Sequence, residues 1–475
     1  MINEIEHSTF LIHDYETFGK NPAIDRPAQF AGLRTDSQFN PIDEPKIFLC
    51  RPPDDYLPDP DAVLMTGITP QQALRHGVIE PEFAFRVHQL FISPKTCVLG
   101  YNNIQFDDEV SRHLFYRNFY DPYSWSWNQG NSRWDLIDVM RSCYALRPEG
   151  IKWPINEKGL PSFRLEHLTY ANGVNHIHPH DAMADVYATL AMAKLVRKVQ
   201  PKLFNYLYRY RNKHQLKKLI DVKTIKPLIH VSNTFNVTHG NIAWIAPLAW
   251  HPTNPNILIA CNLSGEMQLL TDLNSEKLHI LLRTPPKERE QHTAIPLKLI
   301  HLNKCPVLVP TDTLRSNDAI RFGMYLQRCL DNLIWLRDNH LQIQKKIITS
   351  FMEISTSYTT SDNVDIRLYD GFFRASDRAA MNAILATSPE NLPALNIKFI
   401  DPRLKPLLFR YRARNFPHTL NHDERILWLE YRKSCFIQSR IESYVNKLKI
   451  LYQIHKDNGT KIKLINALFE YLHTL

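Results

Sequence analysis

A short apolar run near the start of the chain leads directly into two acidic residues. Residues 9–13 have the composition of a β-strand, and Asp14 and Glu16 follow at its end. Side chains alternate between faces along a strand, so these two carboxylates project to the same side. Carboxylates held this close repel each other unless they are protonated or bridged by a cation. The pair therefore predicts either a solvated strand end or a site for a hard divalent ion such as Mg²⁺ or Mn²⁺.

Two later acidic features lie where helices are expected to begin. Asp107 opens an expected helix over 107–115, where a carboxylate is favoured whether or not it has a further role. Asp181 is able to cap a helix over 181–199, which leaves His180 in the preceding loop and Asp185 one turn inside. A lone histidine near a helix start is usually structural. The spacing nevertheless allows Asp185 to reach a metal while His180 approaches the water that the metal holds.

The length of 475 residues suggests about three domains. The first block, 1–199, mixes strand candidates at 30–33, 47–50 and 97–100 with helical periodicity at 81–91 and in the two helices above. Strands and helices in this order predict an α/β layer with a central sheet.

The second block, 200–353, opens on a strongly basic stretch that predicts a helix and linker. Short apolar runs at 257–261, 267–270 and 278–282 follow, with turn signals between them, and predict a small β-rich unit. A Ser/Thr-rich segment over 350–364 is expected to be a linker. The third block, 354–475, is expected to be mainly helical, with apolar periodicity over 377–385, 424–447 and 461–472.

Composition narrows the class of protein. The chain has 57 basic and 48 acidic residues, a net charge of +9 that makes a polyanionic partner somewhat more probable than chance. Its seven cysteines are scattered, which favours reduced thiols in the cytoplasm over a disulfide framework or a zinc site. The N-terminus lacks the pattern of a signal peptide. The most apolar stretch, 242–250, is about half the length of a membrane span. We therefore expect a soluble, cytoplasmic chain.

The three acidic features together resemble the DEDDh 3′→5′ exonucleases. Their order, D-x-E, then F-D, then H-x-x-x-x-D, spans about 170 residues and is far more specific than any part. Several longer runs resemble the bacterial exonuclease I family within that superfamily. They are HDYETFG at 13–19, YNNIQFDD at 101–108, SFRLEHL at 162–168, HDAMADVYAT at 180–189, LYDGFF at 368–373 and YRARNFP at 411–417.

The resemblance covers essentially the whole chain and implies its architecture. It implies an RNase H-like exonuclease domain over 1–199, with a mixed central sheet flanked by helices. An SH3-like β-rich domain over 200–353 and a helical C-terminal exonuclease I domain over 354–475 follow. In this family the last two domains arch over the active site, so that one strand threads through.

The resemblance also implies the chemistry, a processive 3′→5′ exodeoxyribonuclease that releases 5′-mononucleotides from single-stranded DNA in repair and recombination. Asp14, Glu16 and Asp185 would hold two Mg²⁺ ions, for which Mn²⁺ can substitute, and Asp107 would support them directly or through water. His180 would act as the general base, since a neutral imidazole can take a proton near pH 7.

Predicted substrate contacts come from two sources. By similarity, Thr17 and Phe18 would contact the terminal nucleotide, and Arg164 a phosphate near the metals. The segment 112–127 supplies the basic and flat side chains that bind single strands, although an aromatic cluster is more often core. The full predicted set is Glu16, Thr17, Phe18, Phe106, Arg112, Tyr123, Trp127, Arg141, Arg164 and Lys213.

A protein partner is implied as well, the single-stranded DNA-binding protein through its acidic C-terminal tail. Basic and aromatic residues that could receive the tail are Arg147, Tyr206, Lys226 and Arg337. The enzyme is expected to be a monomer. The basic run 403–414 stays unassigned, since its arginines could equally pair with local acids.

Two other functions stay open. A DEDDh enzyme that acts on RNA or on polymerase errors needs only the first block, and a comparison of DNA with RNA oligonucleotides distinguishes it. The second alternative is a catalytically inactive nucleic-acid-binding protein, which a Mg²⁺-dependent nuclease assay distinguishes from an active exonuclease.

Overall fold

The computed structural model describes residues 8–177, 179–284, 295–352 and 361–475. The chain divides into two compact units. Unit 1 consists of Met1–Ser132, His176–Leu190 and Thr359–Leu475, and unit 2 of Arg133–Asn175 and Ala191–Tyr358. The boundary predicted at 353/354, and most of the linker predicted over 350–364, lie outside the described residues.

The elements are numbered in chain order. The described strands are β1 Thr9–Thr17, β2 Pro27–Thr35, β3 Lys46–Leu49, β4 Thr96–Gly100, β5 Ser132–Asp135, β6 Leu228–Val231, β7 Ile242–Trp250, β8 Ile257–Asn262, β9 Leu297–His301 and β10 Val307–Pro310. The described α-helices are α1 Pro60–Thr66, α2 Pro70–His76, α3 Glu80–Phe91, α4 Asp107–Arg117, α5 Leu136–Leu146, α6 Leu165–Ala171, α7 Ala182–Val199, α8 Pro201–Tyr210, α9 Lys213–Lys217, α10 Leu269–Asp272, α11 Ser275–Arg283, α12 Ser316–Arg321, α13 Leu326–Asp338, α14 His340–Met352, α15 Ala375–Ala386, α16 Leu404–Asn415, α17 His422–Cys435, α18 Gln438–Ile454 and α19 Gly459–Leu472. None of these helices is long and apolar enough to cross a membrane.

The sheet of unit 1 is mixed. Its strands run in the order β3-β2-β1-β4, with β1 antiparallel to β2 and parallel to β4. Helices α3 and α4 pack on it, and a single core joins Leu11 of β1 and Val98 of β4 to Phe83 of α3 and Leu114 of α4. This confirms the predicted central sheet with flanking helices. Each large apolar side chain that is fully buried contributes about 1.5–3 kcal/mol to the stability of this core.

The C-terminal helices share cores with the start of the chain. Phe18 and Val63 lie in one cluster with Leu448 of α18 and Ile465 of α19. A second cluster places Tyr116 and Phe119 against residues of α15 and α16. The region before residue 132 and the region after 361 therefore stabilise each other.

Unit 2 contains an antiparallel sheet in the order β10-β6-β7-β8-β9, which confirms the β-rich prediction. For two of the three short apolar runs the prediction of β-structure was wrong, since 267–270 leads into α10 and 278–282 lies in α11. The side chain of Asn274 accepts the backbone N–H of Lys277 and so caps α11, and Leu278 packs into the core. A short apolar run alone does not distinguish a strand from a buried helix.

The C-terminal region is mainly helical, as predicted. The prediction of a single helix over 424–447 was wrong, because α17 ends at Cys435 and α18 begins at Gln438. Between them, Phe436 and Ile437 have non-helical backbone angles. Apolar periodicity continues across such a break, so the pattern did not reveal it.

Candidate active site

The end of β1 and the start of α4 bring three acidic residues together. The last pair between β1 and β4 is Ile12 with Leu99, so the backbone N–H of Tyr15 lies beyond that ladder. It donates instead to Oδ1 of Asp107, at 3.0 Å. Asp107 is the first residue of α4, as predicted, where the helix dipole favours a carboxylate. This bond fixes Asp107 beside the backbone between Asp14 and Glu16.

The start of α7 supplies the remaining members. The Asp181 carboxylate accepts the backbone N–H of Ala184 at 2.9 Å, which caps the helix as predicted. His180 has φ of 69°, a left-handed conformation that is uncommon for residues other than glycine. In this conformation its backbone N–H lies 3.3 Å from Oδ2 of Asp185. The loop is thereby folded back onto the first turn of α7.

His176 is a site residue that the sequence interpretation missed. Its Nε2 lies 2.6 Å from Oδ1 of Asp185, and its side chain is almost fully buried. Both oxygens of Asp185 are thus engaged, one by His176 and the other by the backbone of His180. A lone histidine nine positions before an aspartate carries no recognisable signal, so only the folded loop reveals the pair.

Three of the predicted residues converge on one point. A carboxylate oxygen of Glu16, a carboxylate oxygen of Asp185 and a ring nitrogen of His180 all lie within 4.8 Å of one another. Glu16 is buried, Asp185 is partly buried and His180 is partly exposed. The cluster is therefore open to solvent on the histidine side.

The buried carboxyl groups of this cluster hold their protons unusually tightly. Burial and the nearby carboxyl groups of Asp107 and Glu16 raise the pKa of Asp14 well above its ordinary value. Burial, followed by repulsion from Asp185 and Asp107, raises the pKa of Glu16 to about 9. Burial also raises the pKa of Asp107 to about 7, although the hydrogen bond from Tyr15 opposes that rise. Several acids are thus crowded together, and their mutual repulsion is unfavourable.

This donor set fits a divalent cation. Carboxylate oxygens are the ligands that hard divalent ions prefer, and a positive charge would relieve the mutual repulsion just described. The single imidazole is compatible with ions such as Zn²⁺ or Mn²⁺ as well. The residues that could hold an ion are Asp14, Glu16, Asp107 and Asp185, with His180 beside them.

The residues next to Glu16 are less exposed than a substrate contact suggests. Thr17 is buried, and its hydroxyl donates to the backbone oxygen of Gly19 at 2.6 Å. The ring of Phe18 is 1% exposed and lies in the core shared with α18 and α19. Burial of the Phe18 ring stabilises the fold, and the contact of this residue with the terminal nucleotide stays a prediction. Phe106 is half-buried directly before α4.

Some of the aromatic residues predicted to bind single strands do lie at the surface. Trp127 is 65% exposed, and the guanidinium of Arg112 lies 5.5 Å from the ring centroid of Tyr123. Sequence reasoning missed Tyr369 and Phe372 as members of this surface, although both belong to the LYDGFF run. Their side chains are 57% and 83% exposed, and the Phe372 ring meets that of Tyr123 at 5.6 Å.

The charge of Arg112 is paired with a neighbouring acid. The side chain is buried, and its Nη1 donates to Oε1 of Glu109 at 2.7 Å. The hydroxyl of Tyr369 donates to the other oxygen of Glu109, so the three residues form one hydrogen-bonded group. Arg112 is thus held by an acid beside exposed rings, and its contact with the DNA stays a prediction.

The other predicted phosphate contacts belong to unit 2. Arg141 pairs with Asp138 at 2.6 Å, and Arg164 pairs with Glu166 at 2.6 Å while its side chain stays 65% exposed. Nζ of Lys213 donates to Oδ1 of Asn256 at 3.3 Å. Arg164 is able to exchange its partner for a phosphate at small cost, since exposed ion pairs contribute about 0–1 kcal/mol.

The four predicted tail-binding residues also belong to unit 2, and three of them donate hydrogen bonds to backbone oxygens. Arg337 donates to the backbone oxygen of Thr224 at 3.2 Å, and the Tyr206 hydroxyl donates to that of Leu308 at 3.1 Å. Arg147 donates to the backbone oxygen of Thr313 at 2.9 Å, and Lys226 is exposed. The group thus keeps positive charge at the surface of this unit.

The basic run 403–414 is explained by local pairing. Four of its five basic residues form ion pairs with acids, and only Lys405 among them is exposed. The pairs are Arg403 with Asp401 at 2.7 Å, Arg410 with Asp365 at 3.2 Å, Arg412 with Glu424 at 2.6 Å and Arg414 with Asp55 at 2.7 Å. The arginines of this run therefore stabilise unit 1 through ion pairs.

Family models and solved structures agree with this architecture. A model described as Exonuclease matches residues 11–193, and the Exonuclease I SH3-like and C-terminal domain models match 211–353 and 362–475. A structure of E. coli exonuclease I in complex with a dA16 oligonucleotide aligns with a TM-score of 0.95 and 57% identity, covering 98% of this chain and 100% of that one. The fold and the acidic cluster thus define an exonuclease of the RNase H-like class.

Sequence relatives narrow the class to one family. The chain is 57% identical to exodeoxyribonuclease I of Escherichia coli (strain K12) and 48% identical to that of Haemophilus influenzae, in both cases over 98% of each chain. The chain belongs to the exonuclease I family, whose members are hydrolases.

Two further solved structures of the E. coli enzyme are similar over 98% of this chain. The zinc-ion-bound form of an ExoI–ssDNA complex has a TM-score of 0.94 at 56% identity and is covered to 99% of its length. A structure of SSB/exonuclease I in complex with the inhibitor CFAM has a TM-score of 0.91 at 57% identity and is covered to 98%.

Proposed function

We propose that this chain is a processive 3′→5′ exodeoxyribonuclease that degrades single-stranded DNA to 5′-mononucleotides. The observation that carries the proposal is the convergence of Glu16, Asp185 and His180 within 4.8 Å, beside Asp14 and Asp107. The relatives named exodeoxyribonuclease I, and the solved complex with dA16, support DNA as the substrate. The activity belongs to DNA repair and recombination in the cytoplasm, where such DNA ends arise.

Two Mg²⁺ ions are the proposed cofactors, and Mn²⁺ is able to replace them. Asp14, Glu16 and Asp185 hold them, and Asp107 supports them directly or through water. When bound, such ions supply activation of the attacking water and stabilisation of the leaving 3′-oxygen. The crowding of buried acids supports this assignment, and the zinc-bound form of the E. coli complex is a precedent for a divalent ion.

His180 is the proposed general base. Its ring reaches the cluster from the solvent side, where the attacking water enters, and takes the proton from that water. The left-handed backbone at His180 and its N–H bond to Asp185 orient the ring. His176 keeps Asp185 in position through the 2.6 Å contact with its other oxygen.

The proposed DNA contacts are Glu16, Thr17, Phe18, Phe106, Arg112, Tyr123 and Trp127 in unit 1, and Arg141, Arg164 and Lys213 in unit 2. We retain the three domains 1–199, 200–353 and 354–475, which the matched ranges of the family models support. In this proposal the last two domains enclose the strand, which provides processivity and excludes duplex DNA.

A single-stranded DNA-binding protein is the proposed partner, bound through its acidic C-terminal tail to the surface of Arg147, Tyr206, Lys226 and Arg337. The solved SSB/exonuclease I complex supports such a partner. The enzyme itself acts as a monomer.

The test is digestion of a 5′-labelled single strand in the presence of Mg²⁺, with EDTA as the negative control. The expected result is stepwise shortening from the 3′ end with release of mononucleotides. A matched duplex and an RNA of the same sequence should be degraded far more slowly. Equal degradation of RNA would favour an RNA-directed DEDDh enzyme. Binding without any cleavage would favour an inactive binding protein, and either result would overturn the proposal.

A further inference from the structure

Glu80 lies outside the acidic cluster and yet contacts α4 and the turn after β1, two of the segments that position the cluster. The residue opens α3, and its side chain is only 11% exposed. Its carboxylate accepts two hydrogen bonds from Arg117, from Nε and Nη2 at 3.1 Å each. It accepts a third from Nδ2 of Asn118 at 3.0 Å and pairs with Nη1 of Arg26 at 3.7 Å.

Arg26 lies at the end of the turn that directly follows Glu16. The backbone N–H of Phe18 donates to the backbone oxygen of Arg26 at 2.9 Å, and Thr17 pairs with Pro27 across a bulge at the end of β1. The side chain of Arg26 is buried, so its guanidinium anchors this turn in the interior. A displacement of Arg26 would therefore be transmitted to Glu16 through the short hairpin.

Arg117 lies at the other element, as the last residue of α4. The first residue of the same helix is Asp107, which is bonded to the backbone of β1 between Asp14 and Glu16. A helix of three turns moves nearly as a rigid body. The pair of parallel bonds from Arg117 to Glu80 therefore sets where Asp107 stands.

We infer that Glu80 is a positioning residue of the active site, which sets the spacing between the Asp14–Glu16 pair and Asp107 by holding Arg26 and Arg117 at once. This inference rests on the proposed function, because it assumes that these acids hold the catalytic cations. Productive metal sites need their ligands placed within about 0.5 Å, and the groups that orient them matter accordingly. Loss of such an orienting group typically costs 10–100-fold in metal affinity or activity.

The network extends to the C-terminal region through a second acid. Oδ2 of Asp365 accepts from Arg26 at 3.2 Å and from Arg414 at 2.5 Å, and Arg414 also binds Asp55. The carboxylate of Asp365 pairs with the turn and not with α4, although its backbone is hydrogen-bonded to His113 of that helix. This difference distinguishes the positioning of two elements from general stabilisation of the core.

The test compares Glu80→Gln with Glu82→Gln in the full-length chain. Glu82 lies on the same helix and forms an exposed pair with Arg86, so its variant controls for loss of charge on α3. Three quantities are measured: the affinity for Mn²⁺ by electron paramagnetic resonance without DNA, and kcat and KM on a long single strand.

For Glu80→Gln the expected result is a fall of about 10-fold or more in both Mn²⁺ affinity and kcat, with KM changed less than about threefold. Glu82→Gln should match the wild type in all three. A folded Glu80→Gln protein with wild-type Mn²⁺ affinity and kcat, and only a lower melting temperature, would overturn the inference. A wild type that fails to cleave DNA at all would instead overturn the proposed function, while the Mn²⁺ measurement still decides the role of Glu80.

Removal of the Glu80 charge leaves Arg117 without that ion pair and Arg26 with Asp365 alone, so Arg117→Lys is the second variant. It keeps the charge but replaces two parallel bonds by one, and it should lower Mn²⁺ affinity in the same direction by a smaller factor. If Glu80→Gln does not fold, Arg117→Lys tests the inference in its place. Unchanged Mn²⁺ affinity and kcat in Arg117→Lys would then refute the inference.

Discussion

At the scale of single residues, the Asp14 carboxyl is partly buried among acids that raise its pKa well above the ordinary value. Its pKa is thus higher in the folded than in the unfolded state. Such a group contributes stability below its unfolded pKa and loses it as the pH rises through the folded pKa. At neutral pH, above its unfolded pKa, Asp14 consequently lowers the stability of the metal-free fold, and a bound cation would reverse this.

Asp14→Asn should therefore separate activity from stability. We expect turnover with Mg²⁺ to fall by about 10²–10³-fold or more, the scale on which charge stabilisation is lost. The melting temperature in EDTA should rise above that of the wild type, since the repulsive carboxylate is gone. Affinity for single-stranded DNA should change little, because it is spread over many contacts.

Turnover assays, calorimetric melting curves and fluorescence anisotropy check these three expectations. A variant that retains a tenth of wild-type turnover would contradict the assignment of Asp14 as a metal ligand. The same melting temperature in EDTA for both proteins would contradict the electrostatic argument.

His180→Ala tests the general base. We expect turnover to fall by about 10²–10⁴-fold, without recovery at high Mg²⁺ concentration. The His180 ring lies close enough to Glu16 and Asp185 to share an ion with them, so the Mg²⁺ titration is the decisive measurement. Recovery at high Mg²⁺ would show that His180 acts through metal affinity instead.

At the scale of elements, the loop that joins α4 to β5 is divided between core and surface. Trp125 is 1% exposed and packs with Phe91, whereas Trp127, two positions later, is 65% exposed. Two short 3₁₀ turns, Ser124–Ser126 and Asn128–Gly130, flank Trp127 and hold its ring outward. The loop thus has one anchoring ring and one free to stack on a base.

Trp127→Ala should weaken binding of single-stranded DNA without affecting the fold. A stacked base is worth about 1–3 kcal/mol, so we expect Kd to rise by roughly 5- to 150-fold. The melting temperature should stay within about a degree, because the side chain is mostly exposed. Tyr452→Ala on α18, another exposed aromatic residue, is the control and should bind as the wild type does. Wild-type affinity in Trp127→Ala would remove this residue from the proposed path of the DNA.

At the scale of the whole molecule, unit 1 is built from segments far apart in the chain. Its core clusters join Phe18 to Leu448 and Tyr116 to Leu404. A buried charge network follows the same seam. Burial alone would raise the pKa of Glu80, but Arg117 and Arg26 outweigh it and lower that pKa from 4.5 to about 2. Arg414 and Arg26 likewise outweigh burial and hold the pKa of Asp365 well below its ordinary value.

This network predicts loss of stability in acid. Both carboxyls have lower pKa values in the folded state, so their contribution is full above about pH 4.5 and is lost as the pH falls towards 2. For Glu80 the shift corresponds to on the order of 3 kcal/mol, at about 1.4 kcal/mol per pKa unit. The free energy of unfolding in urea, measured with EDTA between pH 7 and pH 3, should fall steeply below pH 4.5.

Asp365→Asn tests whether this network causes the loss of stability below pH 4.5. The variant should be less stable at pH 7, since three arginines lose a partner, and its stability should fall less between pH 5 and pH 3. If the free energy of unfolding fell equally in the two proteins between pH 5 and pH 3, this network would not be the cause of the loss of stability in acid.

Local pattern was sufficient for the elements that carry the chemistry. The apolar run before Asp14, the acid that opens α4 and the cap at Asp181 each depend on residues within a few positions, and β1, α4 and α7 form where predicted. The same reasoning failed over 267–282, because short apolar runs fit either a helix or a strand until their neighbours are known.

Only the tertiary structure decided which side chains are free to act. Phe18 is core because helices more than 400 positions later cover it, and Arg112 is committed because Glu109 and Tyr369 hold it. His176 joins the site only because the loop before α7 folds back onto Asp185. The sequence by itself determined the elements and the acids at their ends, since these follow from local periodicity and capping. Exposure and ion pairing depend on contacts between distant segments, so they were settled when the chain folded.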